Sequence, residues 1–437
     1  MRWWYSFGTS ALPNPTWLPT SFRQHGLSAR FGEPAHFHPE TLQYAPRYRT
    51  VFGLMLYRNR ILLFSFVILL IPTLAFATGQ PVPPPVPPVI GAKSYLLIDS
   101  DTGQELASLA ADTRLAPASL TKLMTAYAIF RALAENQVSL DDQVTISENA
   151  WRTPGSRMFI EVGTRVSVQD LLRGMIVQSG NDASVALAEH VAGTELVFAE
   201  VMNRYATALG MRSSHFMNAT GLPHKDHYST ARDLAQVARA IVREFPEYYR
   251  WYSDKKFEYN KIVQPNRNAL LWRDSSVDGM KTGFTDDSGY CLISSAKRDG
   301  MRIISVVLGT ASAKSRTDGS QALLNYGFRF FETRLLFKAG ETVTQARVWK
   351  AASEFTDLGL AKDLYITVPR GSYDSVESVL TIPAVVLAPV AQGQPVAELQ
   401  VSLNGSQLLT EPLQALQENP SGSLWQRTRD GLKLWFD

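Results

Sequence analysis

The sequence predicts an α+β fold followed by a small all-β domain. Three observations carry this: strand-turn-strand patterns near both ends of residues 91–337, a mainly helical stretch between them, and short Val-rich segments with Gly and Pro turns beyond Phe337. Tyr95–Asp99, the turn Ser100-Asp-Thr-Gly103 and Glu105–Ser108 read as a hairpin. A loop ending at Pro117 then enters a segment rich in Ala, Leu and Met, which reads as a helix start with Ser119 in its first turn. Residues 140–164 alternate without a clear period, and Trp151–Gly155 reads as loop. Val168–Val177 and Ala183–Ala192 have helical periodicity and flank Ser179, which places that serine and Asn181 on an exposed connection. Phe198–Leu209 is a helix ended by Gly210, and Thr230-Ala-Arg-Asp233 caps another through Val242. Tyr290–Lys297, the turn Arg298-Asp-Gly300 and Arg302–Leu308 form a second hairpin that leaves Lys281 at a sheet edge. A helix from near Asp318 through Phe328 follows, and residues 338–416 form the all-β domain.

Both ends carry other messages. Residues 1–54 lack periodicity. From Met55, a basic Tyr57-Arg-Asn-Arg60, an apolar Ile61–Leu74 and Ala75-Phe-Ala77 make a signal peptide over 55–77. The short apolar run broken by Pro72 favours cleavage over a membrane anchor, so Met55 is expected to be the start and 1–54 a mis-called extension. Residues 78–90 are a Pro-rich spacer. Residues 417–437 comprise a linker and a helix. At 100° per residue Leu424, Trp425, Thr428, Gly431, Leu432, Trp435 and Phe436 share one face, opposite Gln426, Arg429, Asp430 and Lys433. Such a helix suits a membrane surface, the alternative being docking on its own protein or a partner.

Charge and residue usage exclude several functions. The 43 basic and 40 acidic residues become 36 and 38 once the seven Arg and two Glu of residues 1–77 are set aside, so the net charge gives no support for a nucleic-acid partner. One cysteine, Cys291, precludes an internal disulfide and reads as a buried thiol. No Cys and His cluster has metal-site spacing, and no cofactor motif is present. His190, His215, His224 and His227 are not tied by motif to a serine, which argues against a Ser/His/Asp enzyme.

The chemistry lies in three short elements. Ser119 and Lys122 fall three residues apart on one helix face, where the side chains can meet. A serine hydroxyl needs a base to become a nucleophile, and a lysine with a depressed pKa can serve. The spacing alone is weak, since Ser253 to Lys256 and Ser294 to Lys297 match it too. Ser179-Gly-Asn181 follows 60 residues on, and Lys281-Thr282-Gly283, which occurs once, 102 residues later. Order, spacing and local structure together make chance a poor explanation.

With these residues assembled, the chain resembles the low-molecular-mass penicillin-binding proteins that act as D-alanyl-D-alanine carboxypeptidases, the penicillin-binding protein 5 and 6 type, from about residue 90 to the C-terminus. The resemblance implies an antiparallel sheet packed with helices plus an α subdomain, then the β domain. It makes Ser119 the acylated nucleophile, Lys122 its base, Ser179 and Asn181 the proton-relaying and amide-holding element, and Lys281 and Thr282 substrate binders, with Gly283 letting substrate approach. Arg316 aligns with an arginine that contacts the terminal carboxylate. The implied substrate is a peptidoglycan pentapeptide ending in D-Ala-D-Ala, with β-lactams acylating the same serine, on the periplasmic side of the bacterial inner membrane. One departure stands near the site: Phe284 follows Lys-Thr-Gly where family members often have His. A D,D-endopeptidase or transpeptidase, a β-lactamase using a glutamate such as Glu200, and a non-catalytic peptidoglycan-binding scaffold are the alternatives.

Overall fold

The computed structural model describes residues 83–435. The signal-peptide and start-site expectations, the first residues of the spacer and Phe436 lie outside that range. Five antiparallel strands form the main sheet, in the order Glu105–Leu109, Ser94–Asp99, Met301–Thr310, Gly289–Arg298 and Val277–Thr285. The alternation expected of a strand sorts its side chains onto two helical layers. Leu96, Ile98, Ile293, Ile304 and Val306 bury against helices Lys122–Ala134, Asn181–Ala192 and Ala231–Glu244, whose Leu123, Phe130, Leu187, Leu234 and Ile241 belong to the same core. Tyr95, Leu97, Leu292, Ile303 and Val307 point the other way, onto Leu323 and Leu324 of helix Ala313–Phe330. Each fully buried Leu or Ile contributes about 1.5–3 kcal/mol. The sheet is thus a rigid central layer, and Val277–Thr285, which carries Lys281, is its edge.

Helix Ala313–Phe330 starts earlier than the sequence pattern indicates. Ser312 is its cap, accepting a hydrogen bond from the Ser315 amide at 3.0 Å, not Asp318. The residues gained, Ala313 to Thr317, include no large apolar side chain, so they add no apolar period, but they place Arg316 near the start of the helix, above the sheet edge.

Beyond it, strand Phe331–Phe337 pairs with Leu364–Pro369, and a second sheet runs in the order Val376–Thr381, Pro395–Leu403, Ser406–Ala415, Phe355–Gly359, Thr344–Trp349 and Val386–Leu387 around Val348, Leu358, Leu399 and Leu413. The joint with the first sheet is polar: Thr333 Oγ1 donates to Asp99 Oδ2 at 2.6 Å. Helix Leu424–Lys433 opens on a capping box between Ser423 and Gln426. It leans on the β domain through Asp430, whose carboxylate accepts the Lys350 amide at 2.9 Å, so the face carrying that acid is the docked one. Leu424, Trp425, Leu432 and Trp435 remain outward, the two tryptophans 77% and 86% exposed. No helix among the described residues is long and apolar enough to cross a membrane.

Candidate active site

The serine turn is a single 3₁₀ turn, Ala118–Thr121, running into helix Lys122–Ala134. At three residues per turn, positions 119 and 122 eclipse. Lys122 Nζ accordingly donates to Ser119 Oγ at 3.0 Å. Ala118 is held at φ +49°, a left-handed conformation costly for a residue with a side chain. The loop through Gly221 presses against it: a Cβ there would overlap the Ala118 carbonyl, so only glycine lets the loop close. From the other side His227 Nε2 bonds Thr121 Oγ1 at 2.8 Å while its Nδ1 accepts the Met217 amide at 3.2 Å, which puts the ring proton on Nε2. Burial lowers the pKa of that imidazole to about 4, so it braces the turn as a neutral group.

Lys122 is 1% exposed, and its remaining donors go to Asn181 Oδ1 at 2.7 Å and the Thr220 carbonyl at 2.5 Å. Burial, reinforced by the nearby Arg267 charge, lowers its pKa to about 7, although Asp182 and Glu195 pull the other way. Those carboxylates are engaged elsewhere: Asp182 accepts the Met158 and Phe159 amides at 2.9 Å, and Glu195 accepts the Ala219 amide at 2.9 Å. Glu200 is exposed on helix Glu195–Ala208.

Helix Val168–Arg173 passes into a π turn, Gly174–Gln178, that ends at Ser179 with φ +68° before helix Asn181–Ala192 begins. Such turns re-aim a backbone at functional sites. The expected exposed connection is instead buried, with Ser179 3% and Asn181 5% exposed. The loop after Trp151 folds over it: Asn181 Nδ2 donates to the Pro154 carbonyl at 2.6 Å and its amide to that of Ser156 at 2.7 Å. Ser179 Oγ, also buried, has no hydrogen-bond partner among the described residues, a costly state that a ligand group would relieve.

The third wall is the edge strand. Lys281 and Thr282 are buried, and among the described residues Lys281 Nζ donates only to the Thr282 carbonyl, at 3.3 Å. Burial and the charges of Lys122, Arg267 and Arg316 hold its pKa well below the usual lysine range. At Gly283 a Cβ would lie 3.2 Å from the Pro117 carbonyl and 3.3 Å from Ala118 Cβ and Leu120 Cγ, so the glycine lets the strand approach the serine turn. Gly283→Ala is accordingly expected to slow penicillin acylation about tenfold by parting strand and turn, while far-ultraviolet dichroism stays unchanged; an unaltered acylation rate would show that the approach is not needed. Arg316 Nη1 donates to the Gly283 carbonyl at 2.9 Å, and burial lowers its pKa. Beside it opens a cleft lined by Arg267, Trp272, Arg273, Arg316 and Thr317.

Hydrogen bonds join Ser119, Lys122 and Asn181 to one another, Lys281 to Thr282, and Arg316 to Gly283. The sequence did not mark Arg267, which adds positive charge to Lys122, Lys281 and Arg316, or His227. Neither stands in a motif; a basic residue followed by Asn268, which donates to the Gly279 carbonyl at the start of the edge strand, was the available signal.

Comparison with known proteins agrees with this construction. The family model described as D-alanyl-D-alanine carboxypeptidase matches residues 81–312, and that of the penicillin-binding protein 5 C-terminal domain matches 331–421. The chain is 42% identical over 357 residues to D-alanyl-D-alanine carboxypeptidase DacA of Escherichia coli, covering 80% of this chain and 89% of that one. Penicillin-binding protein 5 from Haemophilus influenzae superposes with a TM-score of 0.74 at 41% identity, over 77% of this chain and 99% of that one. Penicillin-binding protein D2 from Listeria monocytogenes, solved in an ampicillin-bound form, matches 55% of this chain and 98% of its own at 32% identity and a TM-score of 0.51. A serine and a depressed lysine in contact, walled by an edge strand and followed by the matching β domain, leave one conclusion: the chain belongs to the D-alanyl-D-alanine carboxypeptidase family.

Proposed function

We propose that this protein removes the terminal D-alanine from peptidoglycan pentapeptides through an acyl-enzyme on Ser119, and that β-lactams acylate the same oxygen. The observation that carries this is the 3.0 Å contact between Ser119 Oγ and a lysine whose pKa lies near 7. A neutral amine has two N–H groups and one lone pair. With the two N–H groups engaged by Asn181 Oδ1 and the Thr220 carbonyl, the lone pair is aimed at the serine hydroxyl. Ser119 Oγ then bonds to the carbonyl carbon of the penultimate D-alanine as its proton passes to Lys122 Nζ. The oxyanion is met by backbone amides of the serine turn. The C–N bond breaks, and the leaving amine takes a proton by way of the Ser179 hydroxyl. Water activated by Lys122 then hydrolyses the ester and returns the enzyme. Lys281, Thr282 and Arg316 hold the terminal carboxylate, whose negative charge offsets the repulsion among the buried cations.

Incubation with a pentapeptide ending in D-Ala-D-Ala tests the reading: free D-alanine released in step with shortened peptide supports it, and no release together with no penicillin labelling supports the scaffold alternative. Carboxypeptidase action is favoured over β-lactamase action because Glu200 is exposed and Glu195 is engaged with Ala219, leaving no carboxylate assigned to deacylation.

We further infer a location on the periplasmic side of the inner membrane, bound through helix Leu424–Lys433. The outward Trp425 on the helix and Trp435 just beyond its end are the support, since indole rings partition into the interfacial region. Removal of residues 420–437 is expected to move the protein from the membrane to the soluble fraction with soluble activity kept; sedimentation with membranes after truncation would refute the anchor.

A further inference from the structure

The residue after Lys281-Thr-Gly is a phenylalanine, and its surroundings give it a task. In the edge-strand register Phe284 stands directly opposite Tyr290. Their rings pack in a tilted pair with centroids 4.3 Å apart at 34°, and Phe284 stays 49% exposed. The Tyr290 ring also faces Arg316, whose guanidinium carbon lies 5.5 Å from its centroid. Arg316 is otherwise held by Nη1, which donates to the carbonyls of Gly283 at 2.9 Å and Cys291 at 3.4 Å, the chain neighbours of Phe284 and Tyr290. Its recorded acceptors are thus carbonyls and not a carboxylate, although it is 9% exposed. A buried cation without an anion carries an uncompensated desolvation cost that an incoming anion relieves, and the direction its remaining donors face depends on the surface beneath the fork. That surface is an aromatic ring, which attracts a guanidinium through its quadrupole, and the ring is fixed by the second ring packed on it.

We propose that Phe284 is a positioning residue for carboxylate recognition: packed on Tyr290, it sets the plane on which the Arg316 guanidinium rests and so its alignment with the terminal carboxylate of the substrate. This rests on the carboxypeptidase reading above. Phe284 acts through Arg316 and touches no reacting atom, so its removal weakens substrate capture and leaves the chemical step alone.

The test is a double-mutant cycle on the full chain, read by D-alanine release and by the second-order rate of acylation with fluorescent penicillin, which stays measurable over several decades. Phe284→Leu is expected to raise KM about fivefold, equivalent to about 1 kcal/mol at 1.4 kcal/mol per tenfold, with kcat within about twofold of wild type. Phe284→Tyr keeps the ring pair and restores KM. In an Arg316→Gln background, Phe284→Leu produces no further loss in acylation rate. A fivefold loss that persists without Arg316 would mean that the ring meets the substrate itself, and would overturn the proposal, as would an unchanged KM in Phe284→Leu or a loss confined to kcat. If wild type releases no D-alanine yet the penicillin cycle is non-additive, the carboxypeptidase reading fails while the positioning role stands.

Discussion

Alanine at position 119 is expected to abolish both D-alanine release and labelling by fluorescent penicillin, leaving the fold unchanged. Ser119 is only partly buried, and its oxygen receives one recorded hydrogen bond, from Lys122. Losing that bond costs about 1 kcal/mol, and Lys122 keeps its two other acceptors. The thermal midpoint therefore shifts by only a few degrees. The effect on chemistry is far larger because no acyl-enzyme can form without the oxygen, and direct attack by water forgoes the positioning supplied by the 3₁₀ turn. Release measured with equal protein concentrations distinguishes the outcomes. Equal rates from wild type and variant would remove Ser119 from the mechanism.

The second large effect is at Lys122. Lys122→Met keeps approximate length and volume but has no basic group to take the proton, and Lys122→Arg keeps a charge that a guanidinium does not surrender. Both are expected to slow penicillin acylation by about 10²–10⁴-fold, the usual contribution of a general base. The wild-type enzyme should meanwhile gain kcat/KM as pH rises through about 7 and then level, because the neutral amine is the active form. A flat profile across pH 6–8 would assign the base elsewhere. The same titration marks stability with a definite sign. The lysine releases its proton near 7 in the fold but near 10.5 when unfolded, so between those values the unfolded chain binds more protons and stability rises with pH. Lys122→Met removes this component, and comparing thermal midpoints of the two proteins at pH 7 and pH 9.5 isolates it.

These effects concern residues that could be read from the chain, because their chemistry requires fixed spacing. The two sheet hairpins were equally legible, since alternation along a strand is local. What escaped was non-local. Ser179-Gly-Asn181 has the composition of a surface turn, and only the distant Pro154 and Ser156 carbonyls make it interior. Ala313–Thr317 offers no apolar period, so the true beginning of the helix bearing Arg316 was hidden behind its first clear leucine pair. At Gly283 the contact with the serine turn was hidden as well: which face of a strand meets another turn depends on tertiary packing. His227 shows the limit most plainly. It lies 106 residues from the threonine it supports, and nothing in the intervening sequence relates the two.

The terminal helix has one more implication. The tryptophans at this end of the chain face outward while the helix's aspartate is latched to the β domain, so the adsorption proposed above would need no unmasking step. Capture would then be governed by collision frequency and by the lateral packing of the lipids encountered. In lipid-free buffer the same exposed indoles would favour association between copies, and mild detergent, by occupying them, would keep neighbouring copies apart.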